Sequence, residues 1–252
     1  MTQAPSRYAL FGAPAMVTYT DLVTGDVVGV ADVLKNFDIE IKGDVAAVRG
    51  GKKDLKRILF DKNIDINVKQ ENALIDTNLQ GLVFGKTPVI GTKNVRRREV
   101  LTIVGTTVTL SKTPVGNISN IYLLNPDGTN GTAITTFTAS AKTITFTGQT
   151  AGTQVVVYYY VATDAQASST QLTKDSSGRS VGCYVDTFVK NEDDVVFQCQ
   201  IHFPKVKVNL ENKMNMSNSG DPSTQSLNLE VLQNPKYAYM MDITVYDENA
   251  LT

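Results

Sequence analysis

Two segments near the start of the chain alternate between apolar and polar residues. In residues 36–42 the apolar side chains stand at positions 37, 39 and 41, and residues 63–69 repeat the pattern. Successive side chains of a β-strand point to opposite faces, so each segment predicts a strand with one dry and one wet face. The glycine pair Gly50-Gly51 between them favours a turn. The pattern predicts a long hairpin or two adjacent strands.

After the second of these strands, the spacing of the apolar residues changes from that of a strand to that of a helix. In residues 71–82, Leu74, Leu79 and Leu82 stand at approximately helical spacing, and Asn72 is available as an N-cap. Gly85 and then Pro88 are typical of a helix end. One short helix is expected here.

The alternation of apolar and polar residues returns late in the chain. Residues 195–203, 205–210, 226–232 and 241–246 each have the composition of a strand, and Pro204 marks a bend or an edge position between the first two. The two ends of the chain therefore share the same pattern of alternating strands.

The middle of the chain differs from both ends, because Thr, Val, Gly and Ser dominate and charged residues become sparse after Arg98. Short strands separated by turn residues predict a small immunoglobulin-like β-sandwich. We therefore expect a mainly β protein, in which a β-sandwich or barrel core with one short flanking helix is interrupted by this insert. The expected strands of the insert are 100–104, 107–110, 121–124, 133–138, 143–146 and 155–161. The expected domains are 1–94 for the first part of the core, 95–164 for the insert, and 165–252 for a linker (165–182) and the second part of the core.

Composition narrows the function classes. The chain has 252 residues, 42% of them hydrophobic, which is enough for one or two cores. Its formal net charge of −1 gives no general affinity for nucleic acid. The start of the chain lacks the pattern of a secretory signal and no segment is apolar enough for a membrane span, so we expect synthesis in a cytoplasm and no membrane partner. Cys183 and Cys199 are expected to be small core residues.

Candidate catalytic chemistry is weak. Residues 81–87, Gly-Leu-Val-Phe-Gly-Lys-Thr, resemble a phosphate-binding loop, but three residues separate the glycines where four are needed. His202 is the single histidine and lies in strand alternation without a nucleophile motif. The acidic groups at 192–194 and 247–248 could perform acid–base work or hold a cation, but are typical of solvated surface. We expect no enzyme activity and no catalytic, cofactor or metal site.

Two basic features leave alternatives open. Arg96, Arg97 and Arg98 could contact phosphate or form a salt-bridge cluster at the domain junction, and the second is the more economical interpretation. Residues 50–53, Gly-Gly-Lys-Lys, could form an anion-binding nest of backbone N–H groups or a plain turn.

The order of these features resembles the tail tube proteins, or major tail proteins, of long-tailed bacteriophages. The matching series is the strand at 37–42, the turn Arg49-Gly50-Gly51, the strand at 63–69 and the helix at 72–82. It continues late in the chain with residues 201–207 (Ile-His-Phe-Pro-Lys-Val-Lys), the strand at 226–232 and a final strand ending in Val-Tyr-Asp at 245–247. The insert is similar to immunoglobulin-like additions that phage virion proteins often carry.

The resemblance implies that the core is a tail-tube-type β-sandwich or barrel, and that the chain is a virion protein assembled in the host cytoplasm. Its subunits would form six-membered rings that stack into a hollow tube for DNA passage, and its partners would be further copies of itself and other tail proteins such as the sheath, terminator or baseplate. Acidic and amide side chains on the wet strand faces would hold DNA weakly and let it slide through the lumen. The candidate lumen-facing residues are Asp38, Glu40, Asp65, Gln200 and Glu230.

A second hypothesis belongs to a different class. The chain could be a capsid decoration or fibre-associated virion protein whose inserted β domain binds a surface ligand. This hypothesis predicts monomers or trimers with measurable ligand affinity, whereas the tail tube hypothesis predicts polymerisation.

Overall fold

The computed structural model describes residues 4–10, 12, 14–50, 53–118, 120–211 and 223–248. These residues form many antiparallel strands and a single helix. The predicted fold class, mainly β with a β-sandwich core and one short helix, is confirmed. In chain order the elements are β1 (Ala9–Leu10), β2 (Met16–Thr20), β3 (Val27–Ala31), β4 (Leu34–Gly50), β5 (Leu55–Asn72), α1 (Thr77–Phe84), β6 (Val89–Ile90), β7 (Asn94–Thr102), β8 (Thr107–Thr109), β9 (Asn120–Leu124), β10 (Asn130–Ala133), β11 (Phe137–Ser140), β12 (Thr143–Phe146), β13 (Gln154–Ala162), β14 (Ser168–Ser169), β15 (Ser180–Lys190), β16 (Val196–Val208), β17 (Gln225–Val231) and β18 (Asp242–Tyr246).

The chain divides into two compact units. The first contains residues 1–88 and 170–252, and the second contains residues 89–169. Inside the second unit β6 pairs with β14, so that Val89 and Ser169 are direct cross-strand partners. Such partners have Cα atoms roughly 4.5–5.5 Å apart, and the two ends of the second unit therefore lie side by side.

One large sheet builds the first unit. Its strands follow the order β3-β2-β15-β16-β17-β5-β4, with β1 added to β15 and β18 added to β16. Register sets one row of inward side chains across four strands, in which Val208 faces Leu229, Leu229 faces Val68, and Val68 faces Ile39. Cys183 and Cys199 are buried in the same core, as predicted.

Pro204 separates two parts of β16 that pair with different strands. Before it, residues 198–202 pair with β18, and after it residues 206–208 pair with β17. The register against β15 shifts between its partners Phe203 and Val206, which is a β-bulge. The sequence predicts a bend or an edge position at Pro204 between two strands, and the structure shows this β-bulge within one strand.

Helix α1 covers part of the same core with Leu79, Leu82 and Val83. The predicted N-cap was wrong, because Asn72 is the last residue of β5 and the chain reaches the helix only at Asp76. The Asp76 carboxylate accepts the backbone N–H groups of Asn78 and Leu79 at 2.6 and 3.1 Å. The predicted end is confirmed, since Gly85 is the left-handed C-cap, with φ of 65°.

Two sheets face each other in the second unit. A four-stranded sheet has the order β10-β9-β13-β7, and a three-stranded sheet has the order β11-β12-β8. Ile121, Ile144, Val155 and Val157 contribute to the core between them. This unit is a small β-sandwich with its own core, separate from that of the first unit.

Candidate assembly surfaces

The outward face of the large sheet is polar and continuous across its strands. Glu230 on β17 has two cross-strand partners, Lys207 on β16 and Asn67 on β5, and Asn67 also faces Glu40 on β4. Cross-strand partners share one face of a sheet. This row lies beside the buried row through Leu229 and Val68, so its side chains point away from the core.

The structure brings the other predicted lumen candidates to the same polar face. Asp38 faces Lys69, and Asp65 faces Lys42, both across the β4–β5 hairpin. Gln200 stands between two core residues of β16 and donates a hydrogen bond to the Asp186 carboxylate at 2.8 Å. All five predicted residues therefore point away from the core cluster, while their exposure to a lumen stays a prediction.

Lysines are interleaved with the acidic groups of this polar face. Lys42 lies 2.9 Å from the Glu40 carboxylate, and its hydrogen bond and charge lower the pKa of Glu40. Lys69 and Lys207 oppose Asp38 and Glu230. The face is thus of mixed charge, where sequence reasoning singled out only acids and an amide. Because the lysines occupy the same alternating positions, the sequence pattern could have placed them on this face as well.

The outer half of the β4–β5 hairpin forms a second unusual surface, which we call the arm. The arm comprises residues 43–50 and 53–64, and none of these residues belongs to either core cluster. Its apolar side chains are nevertheless large and exposed; Phe60 is 56% exposed and Leu59 is 60% exposed. The further exposed apolar residues of the arm are Val45, Val48, Leu55, Ile58 and Ile64.

Exposed apolar side chains lie on both faces of the arm, among its charged residues. Val45 and Ala47 continue the face of β4 that turns to the core at Ile39, whereas Ala46 and Val48 lie on the opposite face. On β5 the register shifts by one residue at Asn63, which has a positive φ of 54°. Such a bulge re-aims the following side chains. Exposed apolar side chains on both faces of a hairpin are typical of a segment that another subunit covers.

Open sheet edges adjoin these surfaces. The main path of the sheet ends at β3 on one side and at β4 on the other, and β4 runs for 17 residues. In the described part of the chain, no strand pairs with the outer edge of β4. A long exposed edge of this kind offers backbone N–H and C=O groups to another chain.

The phosphate-loop resemblance at 81–87 has a structural explanation. Gly81 lies inside α1 and Gly85 ends it, so the segment closes a helix where a phosphate-binding loop would open one. A Cβ at Gly81 would lie 2.6 Å from the Lys86 carbonyl oxygen, which accounts for the first glycine. Gly51 and Lys52 of the proposed nest lie outside the described residues.

His202 lies on the polar face within a group of tyrosines. Its ring stacks on Tyr184 at 4.2 Å between centroids, and Nδ1 is 3.0 Å from the Tyr239 hydroxyl. Burial lowers the pKa of His202, and the charge of Asp242 partly opposes this. In the described part of the chain His202 has no hydrogen bond to a serine or cysteine nucleophile. Sequence reasoning missed the tyrosines because they lie far away along the chain.

Of the acidic groups, Glu192, Asp193, Asp194 and Glu248 are exposed, and Asp247 is half-buried. Residues 192–194 lie in a turn that Asn191 organises, since its side-chain oxygen accepts the backbone N–H groups of Asp193 and Val195. Across the residues that the structure describes, no three His, Cys, Asp or Glu side chains cluster as a metal site would require. Within the same residues, no helix has the length and apolarity to cross a membrane.

The arginine run does not form the expected salt-bridge cluster. Arg97 alone of the three pairs with a carboxylate among the described residues, at 2.7 Å from Glu99. Arg96 and Arg98 alternate with it along β7 and therefore point to the other face of the strand.

The described part of the first unit combines an arm with exposed apolar side chains and a sheet with a polar outward face. The chain belongs to the YomU/Tube protein family, whose model matches residues 14–243. It is therefore a phage tube-type structural protein and a virion component, of a class that is usually non-enzymatic. No curated protein matches the chain in sequence.

Proposed function

We propose that this protein is a tail tube subunit whose copies form six-membered rings, and that the rings stack into the tube through which phage DNA passes. The observation that carries the proposal is the arm, because its large apolar side chains are exposed and no described residue of the chain covers them. Fully burying one Val, Leu, Ile or Phe side chain contributes roughly 1.5–3 kcal/mol. Covering the arm by a neighbouring copy would therefore provide a strong driving force for assembly.

Ring closure answers the problem of the open edges. A ring in which β4 of one subunit meets an edge of the next leaves no free edge on that side. Repetition of a single interface around a closed ring also limits growth to a defined number of subunits. Stacking of rings then needs a second contact, which the arm can supply by reaching beyond the body of the sheet.

The polar face is the surface we assign to the lumen. Its rows alternate acids and amides with lysines, as in Glu40–Asn67–Glu230–Lys207. A surface of mixed charge attracts a polyanion weakly, because opposite charges close together cancel at distances beyond about 10 Å in salt. DNA could then move along the tube without being held. Assembly in the host cytoplasm, with the sheath, terminator or baseplate as partners, belongs to the same proposal.

Cysteine labelling tests the lumen assignment. Cys183 and Cys199 are buried in the core, so a single introduced cysteine is the one thiol open to labelling in the folded chain. Glu230→Cys should react with a large maleimide–polyethylene glycol in unassembled protein and be protected in tubes. Thr145→Cys, on an exposed position of β12 in the second unit, is the matched control and should react in both states. Equal labelling of Glu230→Cys before and after assembly would refute the lumen assignment.

A further inference from the structure

The four-stranded sheet of the second unit has an outward face with a distinct composition. Across β7 and β13, Arg98 is the partner of Tyr158 and Arg96 is the partner of Tyr160. Tyr122 joins them, with its ring 6.1 Å from that of Tyr158 in an edge-to-face contact. Two arginines and three tyrosines therefore share one face, opposite the core of this unit.

The two arginines of this face keep their charges available. Arg96 lies over the ring of Tyr158, 4.6 Å from its centroid, and Arg98 donates a hydrogen bond to the Gly128 carbonyl oxygen at 3.3 Å. In the described part of the chain neither arginine forms a salt bridge with a carboxylate. The contacts orient the guanidinium groups and leave them without a counter-charge.

The net charge of the second unit also favours an anionic ligand. Residues 89–169 contain six basic and three acidic residues, a net of +3 within a chain of net −1. Glu99 faces away from the two arginines and is occupied by hydrogen bonds from Tyr159 and Arg97. The outward face is therefore cationic and lined with aromatic rings, of which Tyr160 is 51% exposed.

We propose that this face binds an acidic polysaccharide. The planar guanidinium forks of Arg96 and Arg98 match the geometry of a carboxylate. Tyrosine presents a rigid, flat ring on which the C–H face of a sugar can pack, together with a hydroxyl group for hydrogen bonding. The Tyr158 hydroxyl and the Asn130 amide, 3.1 Å apart, add polar atoms beside the arginines.

The same observations disfavour a nucleic acid as the ligand. Binding of a single strand through its bases needs several free rings on which successive bases stack. Here Arg96 already covers Tyr158, and Tyr160 is the one ring of the face that is more than half exposed.

This inference does not rest on the proposed tube. Residues 89–169 form a compact unit with its own core, so the face exists on a single chain. If the chain does assemble, repetition of the face would raise the avidity for a long polymer well above the affinity of one copy. Substitutions on this face should leave tube formation unchanged, which separates the two proposals.

The test measures binding of the purified full chain to polygalacturonate at low ionic strength. Neutral dextran of similar length and a single-stranded oligodeoxynucleotide are the comparison ligands. Arg96→Gln and Arg98→Gln should each weaken polygalacturonate binding about tenfold or more, since each removes a charge-assisted hydrogen bond to a carboxylate. Tyr160→Ala should weaken binding and Tyr160→Phe should largely preserve it.

Lys142→Gln is the matched control. It removes one positive charge from the same unit, at the turn between β11 and β12 of the other sheet. This variant should bind polygalacturonate like the unaltered chain. Three results would overturn the proposal: no polygalacturonate binding, an equal loss in Lys142→Gln and Arg96→Gln, or tighter binding of the oligodeoxynucleotide than of polygalacturonate.

Discussion

Phe60 on β5 is the cross-strand partner of Ala46 on β4, and the two side chains lie on a face of the arm that nothing in the described chain covers. A charge placed there should cost the monomer little, because Phe60 is already 56% exposed. It should block assembly, since a buried unpaired carboxylate is strongly unfavourable in an interface. Phe60→Asp is expected to remain folded by circular dichroism and to form no tubes in sedimentation.

Val23→Asp provides the control for that prediction. Val23 is 90% exposed in the turn between β2 and β3, outside the arm. If exposed apolar surface in general drove association, both substitutions would reduce it. We expect Val23→Asp to assemble normally, and tubes formed by Phe60→Asp would contradict the role given to the arm.

Glu99 links the stability of the second unit to pH. Although burial raises its pKa, hydrogen bonds from Ser111, Tyr159 and Arg97 lower the pKa of Glu99 from 4.5 to about 2. The stabilisation is therefore present above about pH 4.5 and is lost as the pH falls towards about 2. Glu99→Gln should destabilise this unit by about 1–3 kcal/mol at neutral pH.

Thermal unfolding across the pH range checks this prediction. The difference in stability between the unaltered chain and Glu99→Gln should shrink between about pH 4.5 and about pH 2. Glu192→Gln, which removes an exposed carboxylate 3.6 Å from Arg7, should change little at any pH. A pH-independent difference for Glu99→Gln would show that the carboxylate charge is not the cause.

Gly85 is required at the end of α1 for two reasons. Its φ of 65° is left-handed, and a Cβ added there would lie 2.0 Å from the Ser177 carbonyl oxygen. Gly25→Ala has the same backbone penalty, with φ of 78°, but no atom lies within 4 Å of its added Cβ. Gly25→Ala should cost roughly 1–2 kcal/mol and Gly85→Ala on the order of 3 kcal/mol or more, measured by denaturant unfolding. Equal losses would refute the close approach at Ser177.

Removal of the second unit should leave the first able to fold and assemble. Val89 and Ser169 are cross-strand partners, so a short glycine linker can join Pro88 to Thr170 without displacing either end. The shortened chain should keep a cooperative unfolding transition and form tubes visible by electron microscopy. Loss of folding would show that the core of the first unit depends on the second.

Alternation of apolar and polar residues was the strongest guide to the fold. It located β4, β5, β16 and β17, because strand faces follow from period two once one face is buried. The start of α1 could not be read in the same way. Asn72 and Asp76 are both good N-caps by residue type, and pairing of Asn72 with Gln225 in the sheet decides between them. That pairing joins residues far apart in sequence.

Of the two candidate surfaces, one could be predicted from local alternation and the other could not. The polar face followed from local alternation, and its five predicted residues do point away from the core. The arm could not be predicted from alternation, because its exposure depends on where the core ends. Ile41, for example, was predicted to lie on a dry face and is 57% exposed. The bulge at Asn63 also shifts the faces of β5, and a positive φ at an asparagine leaves no clear mark in the sequence.

Electron microscopy of the concentrated, purified chain tests the central claim most directly. The proposal predicts straight hollow tubes with a regular ring repeat and six-fold symmetry in averaged end views. Persistent single chains at high concentration, under conditions where the protein is fully folded, would contradict it.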